Sequence, residues 1–278
     1  MIIELPRALR FIAQHFAGSR KYFAEKYMSA AVTACRFEGV TYPFDRGVMD
    51  GKRLIALAAG VIEADEIALA RKYLTADDVV VEFGSGLGIA AARVHRAIHP
   101  KVHFCFEANP VAATYSKHLF TLNHMQIDVD QRALGNGSKS QFFAANDYIL
   151  SSFDVPKDTK HFKKIEIPTV RLATVVKEKN PTAIFCDIEG AENEFLPPED
   201  LQNVEKVIIE LHPGHYGIEG VQQIKDRFAK HGFLAVEQQQ DTYCFCAANR
   251  MKIARQSGRS WLMRRKTRFP LHAGYQLG

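Results

Sequence analysis

The sequence predicts an α/β fold: a mostly parallel sheet with helices packed on both faces. Three observations carry this. From Asp78 onward, strand-like runs at 78–83, 102–106, 127–131, 182–187 and 204–211 alternate with helical patterns at 88–98, 110–122 and 219–231. The first run, Val79 to Val81, meets Glu82 and then Gly84, Gly86 and Gly88, a strand-to-helix turn stripped of side chains. The last two runs, FLAVEQ (233–238) and TYCFCAA (242–248), are separated by Gln239–Asp241 alone. They must pair antiparallel, because a parallel crossover needs about a dozen residues.

The flanking regions differ in character. Residues 5–35 read as helical, with Leu5, Leu9, Ile12, Phe16, Phe23 and Tyr27 spaced by three or four over much of the stretch. FEGVTYPFDRGVMDG (37–51) is loop-like by its Gly and Pro punctuation, and a helical pattern resumes over 52–74 with a break near Gly60. Two more extended stretches, at 141–145 and 164–170, fall between the third and fourth core strands. The expected organisation is an N-terminal helical region (1–75), an α/β domain (76–249) and a basic tail (250–278). The N-terminal helical region (1–75) would act as a lid, its segment 37–51 bringing Tyr42, Phe44, Asp45 and Arg46 to an acceptor pocket.

The 278 residues carry a net charge of +5, and its distribution is uneven. Residues 250–278 hold eight basic residues and no acid, and residues 1–36 hold six basic against two acidic, which leaves −7 for the middle of the chain. A nucleic-acid enzyme usually spreads positive charge around its cleft, so nucleic acid is a disfavoured partner. The basic ends read either as solvated termini or as a peripheral contact with an anionic surface. No apolar run approaches the roughly 18 residues of a membrane span, and the N-terminus lacks the apolar core of a signal peptide. The five cysteines form no CxxC and suit buried thiols, so a cytoplasmic setting is expected.

In open α/β sheets ligands bind beyond the carboxyl ends of the strands, where the glycine turn lies. Gly86-Leu87-Gly88-Ile89-Ala90-Ala91 formally satisfies a dinucleotide fingerprint. An acid followed by three glycines in alternation equally suits S-adenosylmethionine. Glu107, ending the second strand, would accept hydrogen bonds from a ribose diol, which both ligands possess. Glu82 separates them: a carboxylate sits poorly beside a pyrophosphate but suits an ammonium and, at longer range, a sulfonium.

With those residues in view, the chain resembles the FkbM family of S-adenosylmethionine-dependent methyltransferases over roughly residues 76–246. The resemblance rests on VVVEFGSGLGIAA, FEANPVAATYSKHLFTLN, RALGNGS, IFCDIEGAENEFL and VIIELHPG, in that order. It implies a doubly wound, seven-stranded, Rossmann-like class I sheet with an antiparallel final strand, and methyl transfer to a hydroxyl of a sugar, glycan or natural product. Carried over by position, Glu82, Gly84, Ser85, Gly86 and Gly88 would hold the methionine end. Glu107 would hold the ribose, Ala108 and Asn109 would line the adenosine, and Ala133 would lie near the adenine. Asp187 would stand beside the cofactor. The family's Lys two residues before that Asp is absent, with Phe185 in its place. That departure favours a rival reading as a non-catalytic binding module.

Asp187 closes the apolar run Ala183–Cys186, so its carboxylate should emerge at the sheet's carboxyl edge. Glu189 and Glu192 follow, and helix capping is the plain reading of both. An alcohol acceptor needs its proton removed, so Asp187, Glu189 and His212 are the catalytic candidates, with Glu210 placed to orient the His212 ring. Asp187, Glu189 and His212 also have the chemistry of metal ligands. Nothing in their spacing demands an ion, and no metal is assigned.

Overall fold

Val79–Phe83 (β4), five residues of which four are fully buried, forms the centre of the sheet. A strand this apolar on both faces must be covered on both faces, as in parallel α/β sheets. The computed structural model describes residues 2–4, 33–45, 47–49, 51–145 and 162–249. After the short strands Ile2–Glu4 (β1), Ala34–Phe37 (β2) and Val40–Pro43 (β3) come helices Gly51–Ala59 (α1) and Ala64–Tyr73 (α2), then β4. Helix Ile89–Ile98 (α3), strand Val102–Phe106 (β5), helix Pro110–Leu122 (α4) and strand Ile127–Asp130 (β6) follow. Strands Ala133–Leu134 (β7), Lys139–Ala145 (β8) and Phe162–Val170 (β9) form a small separate sheet, ordered β7-β9-β8.

The chain then returns through helix Leu172–Lys179 (α5), strand Ala183–Cys186 (β10), the short helix Glu192–Phe195 (α6) and strand Lys206–Glu210 (β11). Helix Pro213–Lys230 (α7) and strands Phe233–Gln239 (β12) and Thr242–Ala247 (β13) complete it. The main sheet has seven strands in the order β12-β13-β11-β10-β4-β5-β6. All its neighbours are parallel except those of β13, which is antiparallel to both β11 and β12. The expected doubly wound sheet with its reversed final strand is what the chain forms. Strand order reverses between β4 and β10, the crevice where a ligand is expected.

Two cores lie on opposite faces of that sheet. Val81, Phe83, Ile184, Cys186, Val207 and Ile209 pack toward α5 and α7, whereas Val80, Phe185 and Ile208 pack toward α2 and α3. Phe185, where the family's lysine is missing, is therefore a core residue. All five cysteines are buried and unbridged.

Three expectations are corrected. Part of the 37–51 loop is a β-hairpin, β2–β3, turning at Glu38 and Gly39, which both adopt positive φ as a tight two-residue turn requires. The hairpin begins at Ala34, inside the stretch read as helical; the rest of that helical reading, including its six spaced apolar residues, lies outside the described residues, as do Arg46 and the tail from residue 250. Tyr42 is fully buried in a core cluster with Leu57 and Tyr115, so it is packing and does not face an acceptor. Helix α5 carries no strong pattern and was not expected, and α7 starts at Pro213, with a non-helical kink at Gly217. Among the described residues no helix is long and apolar enough to cross a membrane.

Candidate active site

The carboxyl ends of β4, β5, β10 and β11 carry the glycine turn and nearly every candidate residue. The three glycines do different work. A Cβ on Gly84 would lie 1.6 Å from the carbonyl oxygen of Asp187, and one on Gly88 would lie 2.7 Å from the Phe120 ring. Both glycines are needed for packing: Gly84 lets β4 meet the end of β10, and Gly88 lets α3 meet α4. Gly86, at φ +51°, would meet only the Glu63 carboxylate, at 4.0 Å. Gly86 is thus the glycine with an open cradle in front of it.

Glu107 lies at that cradle. Its Oε2 accepts from Gly86 N at 2.6 Å and its Oε1 from Asn109 N at 2.7 Å. Burial pushes its carboxyl up to about 7, against the pull of these backbone donors. Asn109 is a helix cap, its side chain accepting from Val111 N and Ala112 N at the start of α4. Ala108 and Ala133 come together with Ile165 and Ile167 in one small apolar cluster beside Glu107, the wall expected for an adenine. Ser85 is buried, and its hydroxyl has no hydrogen-bond partner.

Glu82 is placed differently from the expectation. It points beneath α3, is 3% exposed, and bonds His103 Nε2 at 3.0 Å. One oxygen of its carboxylate, Oε2, is taken by that buried histidine.

The acidic signature forms the other half of the site. Asp187 follows β10, and Glu189 and Gly190, both with positive φ, turn the chain sharply away. Helix α6 starts only at Glu192, so the acids before it are not in its first turn. Glu192 is almost wholly buried. Its Oε1 accepts from Ile188 N, from Gly190 N and, at 3.0 Å, from His212 Nδ1, and its Oε2 accepts from the Tyr216 hydroxyl at 3.2 Å. His212 N in turn donates to that hydroxyl at 2.6 Å. The His212 ring is therefore held by Glu192 and not by Glu210, and its Nε2 faces Asp187 Oδ1 at 3.5 Å and Glu189 Oε2 at 3.6 Å. Asp187 Oδ1 is inaccessible and accepts no hydrogen bond.

Glu210 instead lies close to Glu66 of α2, and burial together with that acid pushes its carboxyl up to about 7. Burial and the neighbouring Glu189 raise Asp187 well above the ordinary carboxylate range. Burial pulls His212 down, but the bond to Glu192 and the charges of Glu192, Asp187 and Glu189 outweigh it and lift the ring to about 9. Five carboxyl groups thus cluster at one imidazole: Asp187, Glu189, Glu192 and Glu210 around it, and Glu66 behind Asp187 and Glu210. Two triads within them, Asp187–Glu192–His212 and Glu66–Asp187–Glu210, bring their ligand-type atoms within 4.8 Å. Glu66 carries no signal in the sequence; Glu192 carried one, the second Glu of the signature, but read as a cap.

Residues 78–235, more than half of the chain, match the methyltransferase FkbM domain. The chain belongs to that family. It is a methyltransferase whose cofactor is S-adenosylmethionine. No curated protein sequence matches it. Among solved structures, the chain is similar to M. jannaschii TYW2 in complex with AdoMet, at 13% identity over 78% of this chain and 85% of that one, with a TM-score of 0.40. It is also similar to a putative RNA methyltransferase from Pyrococcus horikoshii, at 12% identity over 66% of this chain and 82% of that one, with a TM-score of 0.42. A ribosomal protein L11 methylase from Lactobacillus delbrueckii subsp. bulgaricus matches at 12% identity, 65% and 74% coverage and a TM-score of 0.40.

The residues present fit this family's cofactor. The open cradle at Gly86, the Glu107 carboxylate beside it and the apolar patch of Ala108 and Ala133 follow one another along the sheet edge.

Proposed function

We propose that this FkbM methyltransferase methylates a hydroxyl oxygen on a sugar, glycan or natural product. The observation that carries this reading is the Asp187–His212 pair, fixed from behind by buried Glu192 and set at the carboxyl edge of β10 against the glycine turn.

The cofactor, when bound, would supply an electrophilic methyl group on a positive sulfur; the protein must hold the acceptor's hydroxyl in line with it. A hydroxyl attacks poorly until its proton leaves. Asp187 takes that proton. Its raised basicity suits the task better than that of an ordinary surface carboxylate would, and its side chain is still partly exposed to an acceptor. His212, protonated at neutral pH, stands beside it and stabilises the negative charge that develops on the acceptor oxygen. Glu189 lies within reach of the same space and holds neighbouring hydroxyls of the acceptor. Glu107 accepts from the ribose of the cofactor, with Ser85 and Gly86 in the loop below it.

The negative middle of the chain supports a small-molecule or glycan acceptor over nucleic acid. Five unbridged cysteines support a cytoplasmic setting. The test is transfer of a tritium-labelled methyl group to a panel of sugars, glycans and lipid-linked sugars. Label stable to alkali in an ether linkage is expected. Label that reaches only RNA or protein would overturn the reading.

A further inference from the structure

Glu82 leaves a vacancy in the chemistry: the acid that the motif offers to an ammonium is buried under α3 against His103. Another carboxylate stands at the glycine turn. Glu63 precedes α2, outside the segment that matches the family, and adopts φ 49°, ψ 38°, a left-handed conformation that is unfavourable for a residue with a Cβ. It is the N-cap of α2, yet its side chain makes no capping bond to its own helix. The strained backbone turns the side chain onto the cofactor loop instead. There its Oε2 accepts from Ala90 N of α3 at 2.6 Å, and its Oε1 faces Gly86. Gly86 therefore lies between two carboxylates, Glu107 on its amide and Glu63 on the side where a Cβ would project.

We infer that Glu63 is the residue that receives the α-ammonium of the cofactor's methionine, with Glu107 receiving the ribose at the other side of Gly86. The inference rests on the cofactor assignment and goes beyond it in naming a residue that no motif marks. Burial, with the charges of Glu66 and Glu82 behind it, pushes the Glu63 carboxyl up to about 8 in the free protein. Arg93 pulls the other way but does not compensate. A cationic group arriving at Oε1 would relieve that cost and form a charge-assisted hydrogen bond.

The test is isothermal calorimetry on the full chain with two ligands. S-adenosylhomocysteine carries the amino-acid group, whereas methylthioadenosine keeps the ribose and adenine and lacks the ammonium. Glu63→Gln retains an oxygen for Ala90 N and removes the charge. It is expected to weaken S-adenosylhomocysteine by about ten- to a hundredfold and to leave methylthioadenosine within about twofold. Glu107→Gln, by contrast, should weaken both ligands alike. An equal loss of both ligands in Glu63→Gln would make Glu63 a mere cap of α3 and overturn the inference. Tighter S-adenosylhomocysteine binding would also overturn it, because Glu63 would then occupy the place of the cofactor's own carboxylate. Failure of the unaltered protein to bind either ligand would instead overturn the cofactor assignment itself.

Discussion

The two ends of the parallel strands carry acids in opposite circumstances. At the amino end, Asp78 meets Lys206, both nearly inaccessible. Asp78 accepts from Lys206 Nζ through both oxygens, from Thr75 through its amide and hydroxyl, and from the Thr182 hydroxyl. Every lone pair is used and charge is balanced. At the carboxyl end, five carboxyl groups share one imidazole, Asp187 Oδ1 accepts nothing, and the pKa values of Asp187, Glu210 and His212 are all displaced. A closed pair holds strands together. An open, unbalanced cluster has capacity left for a partner, which is the mark of a functional site.

Swapping neutral groups into each cluster should separate the two roles. Asp187→Asn is expected to lower kcat by about 10²–10⁴ while leaving the melting temperature unchanged or raised. Lys206→Met should do the reverse, costing roughly 3–5 kcal/mol of stability by stranding Asp78, with little change in turnover per folded molecule. Thermal melts and single-turnover assays on both variants check this. If Asp187→Asn unfolds the protein and keeps its rate, the contrast between the two ends is wrong.

The frame was legible in the sequence, because alternating strand and helix periods and a short terminal turn leave few topologies, whereas nothing local marked Asp78 and Lys206 as partners. Glu107 and the acid signature were legible too, since their positions at strand ends follow from the chain direction. What escaped depends on where a side chain goes once its backbone is fixed. Glu82 looked like a loop acid, yet alternation along β4 carries it under α3 to His103. Glu192 looked like a helix cap, and only the Glu189–Gly190 turn brings it back to the His212 ring. Glu63 and Glu66 come from a helix far off in sequence, where no local pattern distinguishes a surface acid from one aimed at the site.

The pH dependence sharpens the contrast further. Asp187 must be ionised to accept a proton and His212 must be charged to assist it. The rate should therefore rise from the acid side above the ordinary carboxylate range and fall again as pH passes about 9. His212→Asn should lose the alkaline limb. The same group links to stability. Its folded value of about 9 stands above the unfolded value near 6.5, so its contribution is full below about 6.5 and is lost as pH rises through 9. An alkaline limb retained in His212→Asn would assign it elsewhere.

A smaller effect is expected at Glu107. Its ionised form is the better acceptor for ribose hydroxyls, and its carboxyl in the free protein titrates at about 7. Affinity for methylthioadenosine, which lacks the ammonium that Glu63 would meet, should weaken as pH falls below that value, by up to about tenfold per pH unit. Glu107→Gln should flatten the curve at a lower affinity. Calorimetry from pH 6 to 8 reads both, and a curve that stays steep in the variant would move the titration to another group.

The smallest expected effect concerns metal. Surplus acid at the carboxyl end invites a divalent cation, and two triads are close enough to bind one. The protons argue otherwise. Burial and the adjoining Glu66 push the Glu210 carboxyl up to about 7, which favours a proton between these two acids. Glu192, the most buried of the five, is already saturated by His212 Nδ1, two backbone amides and the Tyr216 hydroxyl. A proton and an imidazolium thus take the places an ion would fill, and the charge still unmet is left for the cationic cofactor. Turnover is therefore expected to be unchanged by EDTA. A loss that Mg²⁺ or Mn²⁺ restores would show that the surplus belongs to an ion, and Asp187, common to both triads, would then be its ligand and not the base.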